Sequence, residues 1–323
     1  MTNIKAVENI DESQEVISIP IYEYPDNNLR AAKKEGYSSF LSYLMSNLKG
    51  KRVIGIGEKQ NIIVDDQFLE SIVDKLQGAG CVFAEEETQL LISEAQSLPD
   101  LLKKVEMRTK GIPLEYVVGW AMFCGLRIEV EQGVFIPRRR TEFLVHQAEK
   151  LACVGDIIVD LCCGSGAIGA ALAATLGEIT LYSSDIDPIA TKCAKRNVSK
   201  FDGNVLNGDL LNALPESLRG RINILVANVP YVPTKAMERL PSEARVHEPN
   251  IALNGGEDGL SILRRVVDEA PYWLGQGGNL LIETSEMQAP HVYEIFTSVG
   301  LTTKVVREEE VDATVVIGTK SLL

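Results

Sequence analysis

Apolar and polar positions alternate with different periods in the two parts of the chain. From Asp66 to Gly80, apolar residues recur at helical intervals and the run closes on glycines that suit a helix stop. The segment Tyr37 to Leu48 carries the same spacing, and KRVIGIGEKQNIIV between the two predicts a short strand pair. AEEETQLLISEAQ and PDLLKKVEMRTKG predict two further helices, so residues 37–113 read as a small helical domain. Residues 1–36 are polar, acidic and interrupted by Pro20 and Pro25, and read as an N-terminal extension. Across residues 114–136, β-branched and aromatic residues flank Cys124-Gly125, which predicts a β-hairpin linker.

Residues 137–323 alternate strand and helix patterns. DIIVDL, EITLYSSD, GNVLNGD, NILVANV, GGNLLIET, LTTKVVREEE and ATVVIGTK are the predicted strands. Helical stretches are expected at Ala167 to Leu176, Pro188 to Lys200, Asp258 to Trp273 and Glu286 to Val299. Such alternation predicts a doubly wound, mostly parallel sheet. The final two strands are too close in sequence for a parallel crossover and should pair antiparallel. A seven-stranded α/β sheet of this kind is the shape of the S-adenosylmethionine-dependent methyltransferase fold.

Composition changes this picture little. Hydrophobic residues form 45% and charged residues 24% of the chain, an ordinary globular balance. No apolar run approaches the roughly 20 residues that span a bilayer, and the N-terminus lacks a signal-peptide pattern, so a cytoplasmic protein without membrane association is expected. The net charge of −13 disfavours broad binding to a phosphate backbone, so nucleic acid is not an expected partner. The six cysteines form no C-x-x-C pair, and no metal site is expected.

The chemistry is concentrated in two strings. Asp160-Leu161-Cys162-Cys163-Gly164-Ser165-Gly166 follows the first strong strand and opens a helix, where backbone N–H groups and small residues admit a ligand closely. Gly164, Gly166 and Gly169 also satisfy G-x-G-x-x-G, so a dinucleotide site competes with an S-adenosylmethionine site. Asp160 favours the latter, because its carboxylate would repel a pyrophosphate but suits a cationic amino acid portion. Asp185, closing the second strand, is placed to accept two ribose hydroxyls. Asp209 and Leu210, after the third strand, are candidates for the adenine edge, with a helix cap as the plain alternative for Asp209.

The second string, Asn228-Val229-Pro230-Tyr231, ends the fourth strand at the carboxyl edge, where open α/β sheets bind ligands. An amide or aryl-amine nitrogen is a poor nucleophile because its lone pair is delocalised. The Asn228 side-chain oxygen and the Val229 carbonyl can accept its two N–H groups and favour the cation that forms on transfer. Pro230 restricts Val229 to an extended conformation, and Tyr231 would pack against the planar acceptor. No histidine is expected to be catalytic.

These motifs resemble the HemK-type protein-(glutamine-amide) methyltransferases over roughly residues 66–320. DLCCGSGAIG, SSDIDPIA, NVPYVP, HEPNIALNGGEDG and LLIET occur in the family's order, preceded by a segment similar to the family's I-P-R-P-E-T-E. The resemblance implies a helical domain that docks a protein substrate, a hairpin linker and a catalytic domain that methylates the glutamine of the Gly-Gly-Gln motif in peptide chain release factors. By position it implies that Cys162 to Gly166, Asp185, Leu210 and Asn228 contact the cofactor, S-adenosyl-L-methionine, while Asn228 to Tyr231 hold the glutamine.

Three departures set this chain apart. Val229 stands where the family's N-P-P-Y has its first proline. Cys162 stands in place of the loop's first glycine, which predicts an ordinary backbone angle there. Arg139 and Arg140 replace the Pro and Glu of I-P-R-P-E-T-E; with Arg138 and Glu142 they are the candidates for substrate binding. The expected acceptor is a protein such as a release factor, with a small-molecule amide or amine as the alternative. A nucleic-acid base amino group and a non-enzymatic binding module rank below both.

Overall fold

The computed structural model describes residues 66–322, together with the backbone of an antiparallel strand pair, Ile56–Gly57 (β1) and Gln60–Asn61 (β2). The predicted helix Tyr37 to Leu48 and the N-terminal extension lie outside the described residues. The chain divides into two compact units between Val118 and Gly119.

The described part of the first unit is helical: Asp66–Gly78 (α1), Ala84–Ser93 (α2), Leu98–Thr109 (α3) and Leu114–Val118 (α4). Ile72, Leu76, Leu91, Leu101, Val105 and Val117 fill one core between them. Ser97 caps α3 by accepting the Asp100 amide, and Pro99 occupies the first turn, where an N–H would lack a partner anyway. Arg108 makes a two-pronged contact with Glu87, at 2.6 and 3.1 Å, and also donates to the Ile112 carbonyl at 3.2 Å. That geometry satisfies a largely buried carboxylate and ties α3 to α2.

The hairpin reading of residues 114–136 needs correction at its start. Leu114–Val118 is a short helix: Pro113 precedes it, the Val117 amide donates to the Pro113 carbonyl, and Gly119 ends it at φ 87. The hairpin proper is Trp120–Phe123 (β3) with Leu126–Glu129 (β4), and it belongs to the second unit. Its two-residue turn has Cys124 and Gly125 both at positive φ, 48 and 76, the twist that two-residue hairpins prefer.

The rest of the second unit is Glu142–Glu149 (α5), Ile157–Leu161 (β5), Ala167–Leu176 (α6), Thr180–Asp185 (β6), Pro188–Val198 (α7), Asn204–Asn207 (β7) and Ile222–Ala227 (β8). Ser242–His247 (α8), Asn250–Leu253 (α9), Ser261–Trp273 (α10), Leu274–Thr284 (β9), Ala289–Ser298 (α11), Thr302–Glu308 (β10) and Ala313–Thr319 (β11) complete it. The seven strands are ordered β10-β11-β9-β8-β5-β6-β7. Strands β9, β8, β5, β6 and β7 run parallel, and β11 pairs antiparallel with both neighbours. This is the doubly wound methyltransferase fold expected from the sequence.

The period-2 alternation of β5 sorts its side chains. Val159 and Leu161 join a core that includes Leu263, Val266 and Val267 of α10 and Val292 and Phe296 of α11. Asp160 points the other way, toward α6. The order of strands places the chain reversal between β5 and β8, so the loops after both strands open onto the same carboxyl edge.

Candidate active site

The loop after β5 turns on backbone angles that few residues adopt. Cys162, Gly164 and Gly166 have φ of 54, 56 and 76, all left-handed. The expectation of an ordinary angle at Cys162 is therefore overturned: the turn keeps its shape and Cys162 bears the strain, about 1–2 kcal/mol for a side chain in that region. Packing of Cys162 against the adjacent core holds it there. Burial raises the thiols of Cys162 and Cys163, so neither is an activated nucleophile.

Asp160 is wholly buried beneath the loop, with one carboxylate oxygen accepting the Gly169 amide at 2.9 Å and the other lacking a protein partner. Gly169 is required by this approach, since a Cβ there would lie 2.8 Å from Ser183 Oγ and 3.2 Å from Asp160 Oδ2. Burial pushes the Asp160 carboxyl up to about 7, against the pull of the Gly169 amide. Behind the loop, Asn197 of α7 donates to the carbonyls of Ser165 and Glu129 and accepts the Glu129 amide, linking loop and hairpin.

Asp185, at the end of β6, accepts the Gly164 amide at 2.9 Å through Oδ2 and the Asp187 amide at 2.9 Å through Oδ1. Burial raises its carboxyl, opposed by these amides. Asp209 does not cap the turn that follows it; its Oδ2 pairs with Arg265 of α10 at 2.6 Å. Leu210 is buried at φ 51, a strained angle for a branched side chain.

Asn228 to Tyr231 begin where β8 stops. The segment HEPNIALNGGEDG supports them: the Val232 amide donates to Leu253, and the Gly255 amide donates back to Val232. Gly255 must be glycine, because a Cβ would lie 2.5 Å from the Pro230 carbonyl oxygen. Gln288 donates to the Tyr231 carbonyl at 3.1 Å. The Asn228 amide donates through Nδ2 to Thr141 Oγ1 at 3.2 Å.

The four charged candidates separate. Arg140 Nη2 lies 2.5 Å from Tyr231 Oη, and its Nε lies 3.4 Å from Glu283 Oε1. Arg138 pairs with buried Glu248, and Arg139 is exposed without an ion pair among the described residues. Glu142 turns to the hairpin, accepting the Cys124 amide at 2.8 Å, and is not gathered with the acceptor motif. Glu283, at the end of β9, and Thr141 were not singled out in the sequence; the only sign of Glu283 there is its place in LLIET.

A protein of Geobacter sulfurreducens, "Release factor glutamine methyltransferase", is 37% identical over 198 residues, covering 61% of this chain and 69% of that protein. One of the same name from Moorella thermoacetica is 35% identical over 259 residues, 72% of this chain and 90% of that protein. The chain belongs to the release factor glutamine methyltransferase family. The family model "Methyltransferase small domain" matches residues 126–257, which contain both the loop after β5 and Asn228 to Tyr231. A further relative of this release factor glutamine methyltransferase family member is the "4-amino-L-phenylalanine/4-methylamino-L-phenylalanine methyltransferase" of Streptomyces pristinaespiralis, 30% identical over 72% of this chain and 87% of that protein.

The protein is an S-adenosyl-L-methionine-dependent methyltransferase, and the residues present fit that cofactor. The buried, unpartnered oxygen of Asp160 beneath the loop can ionise against a cationic ligand, and it is hostile to a pyrophosphate. Asp185 keeps free lone pairs for two hydroxyls while its backbone contacts hold it still. Among the described residues, no helix is long and apolar enough to cross a membrane.

Proposed function

We propose that the protein methylates the side-chain amide nitrogen of a glutamine in a protein substrate, the Gly-Gly-Gln glutamine of a peptide chain release factor. The observation that carries this reading is the use of Asn228 Nδ2 on Thr141. Its Oδ1 is left, with the Val229 carbonyl, to receive the two N–H groups of one planar nitrogen. Relatives named for that activity support the same acceptor.

Bound S-adenosylmethionine supplies an electrophilic methyl on a sulfonium. Asp185 and the loop amides would hold it, and Asp160 would offset its charge. Asn228 and Val229 hold the acceptor nitrogen so that its lone pair faces the methyl carbon. The cofactor would supply its methyl to that nitrogen, and its sulfur would keep the electron pair of the carbon–sulfur bond. Positive charge then develops on nitrogen beside two oxygen acceptors, and one N–H proton leaves to water. No dedicated base is needed for so acidic a cation.

Mass spectrometry of purified release factor incubated with enzyme and S-adenosylmethionine tests this. One added methyl on the Gly-Gly-Gln peptide is expected, and an unmodified glutamine at full cofactor occupancy rejects it. A small aromatic amine is the second reading, favoured by the Streptomyces relative and by the unpaired Arg139, whose guanidinium suits an amino acid carboxylate. The same assay with 4-amino-L-phenylalanine separates the two.

A further inference from the structure

We propose that Arg140 is a positioning residue for the acceptor motif: it locks the Tyr231 ring through the phenol oxygen, and buried Glu283 fixes the guanidinium that does so. This rests on the amide-methylation reading above, in which the ring packs against the planar acceptor.

The backbone of Tyr231 is held independently of its side chain. Its carbonyl accepts from Gln288 at 3.1 Å, and the next residue, Val232, is bonded through its amide to Leu253 and through its carbonyl to Gly255. Those contacts leave the side-chain torsions about Cα–Cβ and Cβ–Cγ to set where the ring lies. Whatever fixes them must grip the far end of the side chain.

Arg140 and Glu283 do so in a closed triangle. Arg140 Nη2 lies 2.5 Å from Tyr231 Oη, and Tyr231 Oη lies 3.3 Å from Glu283 Oε1. Arg140 Nε lies 3.4 Å from that same carboxylate oxygen. A guanidinium only donates, so Tyr231 Oη takes the Arg140 N–H on a lone pair and keeps its own proton for Glu283. The guanidinium carbon is also 5.8 Å from the ring centroid, within reach of a cation–π attraction. Burial, and after it the charge of Glu283, raises the Tyr231 phenol, so the group keeps its proton and serves as an anchor point.

Burial decides which partner orients the other. The Glu283 side chain is 2% exposed and the Arg140 side chain 44%. A long, half-exposed arginine would by itself sample many rotamers. A carboxylate buried at the end of β9 stays in place and is costly to leave without a cation. Among the described residues, the only cation paired with it is Arg140, and its other oxygen, Oε2, makes no hydrogen bond. The turn that carries Arg140 is pinned on its other side too, where Arg138 pairs with buried Glu248. Glu283 therefore sets the guanidinium, and the rest of the fork reaches Tyr231. Arg140 acts inside the enzyme, through Tyr231, and not as a charge that meets the substrate.

The test compares wild type with Arg140→Met, Tyr231→Phe, Arg140→Met/Tyr231→Phe and Arg140→Met/Glu283→Leu. The last removes the whole ion pair, so no charge is left buried alone and the protein should fold even if Arg140→Met does not. Exchange of the Tyr231 hydroxyl proton is followed by NMR on protein with ring-labelled tyrosine, Tyr231→Phe identifying the signal. Turnover is measured on release factor and cofactor affinity by calorimetry. In both variants that lack Arg140 and keep Tyr231, the hydroxyl should exchange about 10-fold faster or more, the loss of one charge-assisted hydrogen bond. Their kcat should drop about 10- to 100-fold, the size of a small misplacement at a reacting centre, with cofactor affinity retained. Arg140→Met should cost nothing further in the Tyr231→Phe background, because it acts through the hydroxyl that this background lacks. Unchanged hydroxyl exchange without Arg140, or losses that multiply in Arg140→Met/Tyr231→Phe, overturns the proposal. The NMR readout needs no acceptor, so it decides the matter even if wild type leaves release factor unmodified, an outcome that rejects the acceptor assignment alone.

Discussion

Asp185 Oδ2 accepts the Gly164 amide at 2.9 Å, so the carboxylate closing β6 is braced by the loop closing β5. A rigid carboxylate loses little freedom when it accepts two ribose hydroxyls, and charge-assisted bonds of that kind are worth about 1.5–3 kcal/mol each. Asp185→Asn is expected to weaken S-adenosylmethionine binding by about 10- to 100-fold. Calorimetric titration checks this, and near-wild-type affinity would remove Asp185 from the cofactor site.

Asn228→Ala removes one of two acceptors for the reacting nitrogen while leaving the loop after β5 intact. Turnover should drop about 100- to 1,000-fold, the usual loss for one preorganised charge-stabilising group. Cofactor affinity should change far less. Steady-state kinetics beside a binding titration distinguish this from general damage, in which both fall together.

How far the sequence showed the site depends on whether a group acts locally. The loop glycines and Asn228 to Tyr231 are contiguous strings whose chemistry follows from adjacency, and all seven strands of the sheet were visible as short apolar runs. Glu283 and Thr141 act across 52 and 87 positions of chain, on Tyr231 and Asn228, and no local spacing encodes such contacts. The charge of Glu142 points to substrate, but its partner is a backbone amide in the hairpin turn. The β-branched content of Leu114–Val118 points to a strand, and the proline before it starts a helix instead.

Cys162 offers a direct measure of loop strain. Cys162→Gly relieves a left-handed angle but loses side-chain packing and adds freedom to the unfolded chain, so stability should stay within about 1 kcal/mol of wild type. Cys162→Val places a β-branched side chain at φ 54 and should cost more, about 2 kcal/mol. Chemical denaturation ranks the three, and a valine variant as stable as the glycine one would contradict the strained angle.

Asp160 gives a pH signature. Its carboxyl rises from the ordinary 3.8 to about 7 on burial. Between those limits the native state holds a proton that the unfolded chain has released. The corresponding stability is complete below the lower value and is lost as pH rises through the upper one. Asp160→Asn should therefore flatten the decline in unfolding temperature between about pH 4 and 7 without cofactor. Thermal scans across that range decide it; parallel profiles would mean that Asp160 does not titrate there.

The position of β11 has a consequence for biosynthesis. The strand latest in chain order among the seven is not at the border of the sheet but wedged between β9 and β10. Until Ala313–Thr319 emerge, the flank of β9 that they cover has unsatisfied backbone donors and acceptors beside apolar Leu280, Leu281 and Ile282. An uncovered flank of that kind templates pairing with other chains. A nascent or truncated product stopping near residue 310 would thus be sticky even with Asp160 to Tyr231 already made, so the seven-residue strand Ala313–Thr319 acts as a seal on the sheet.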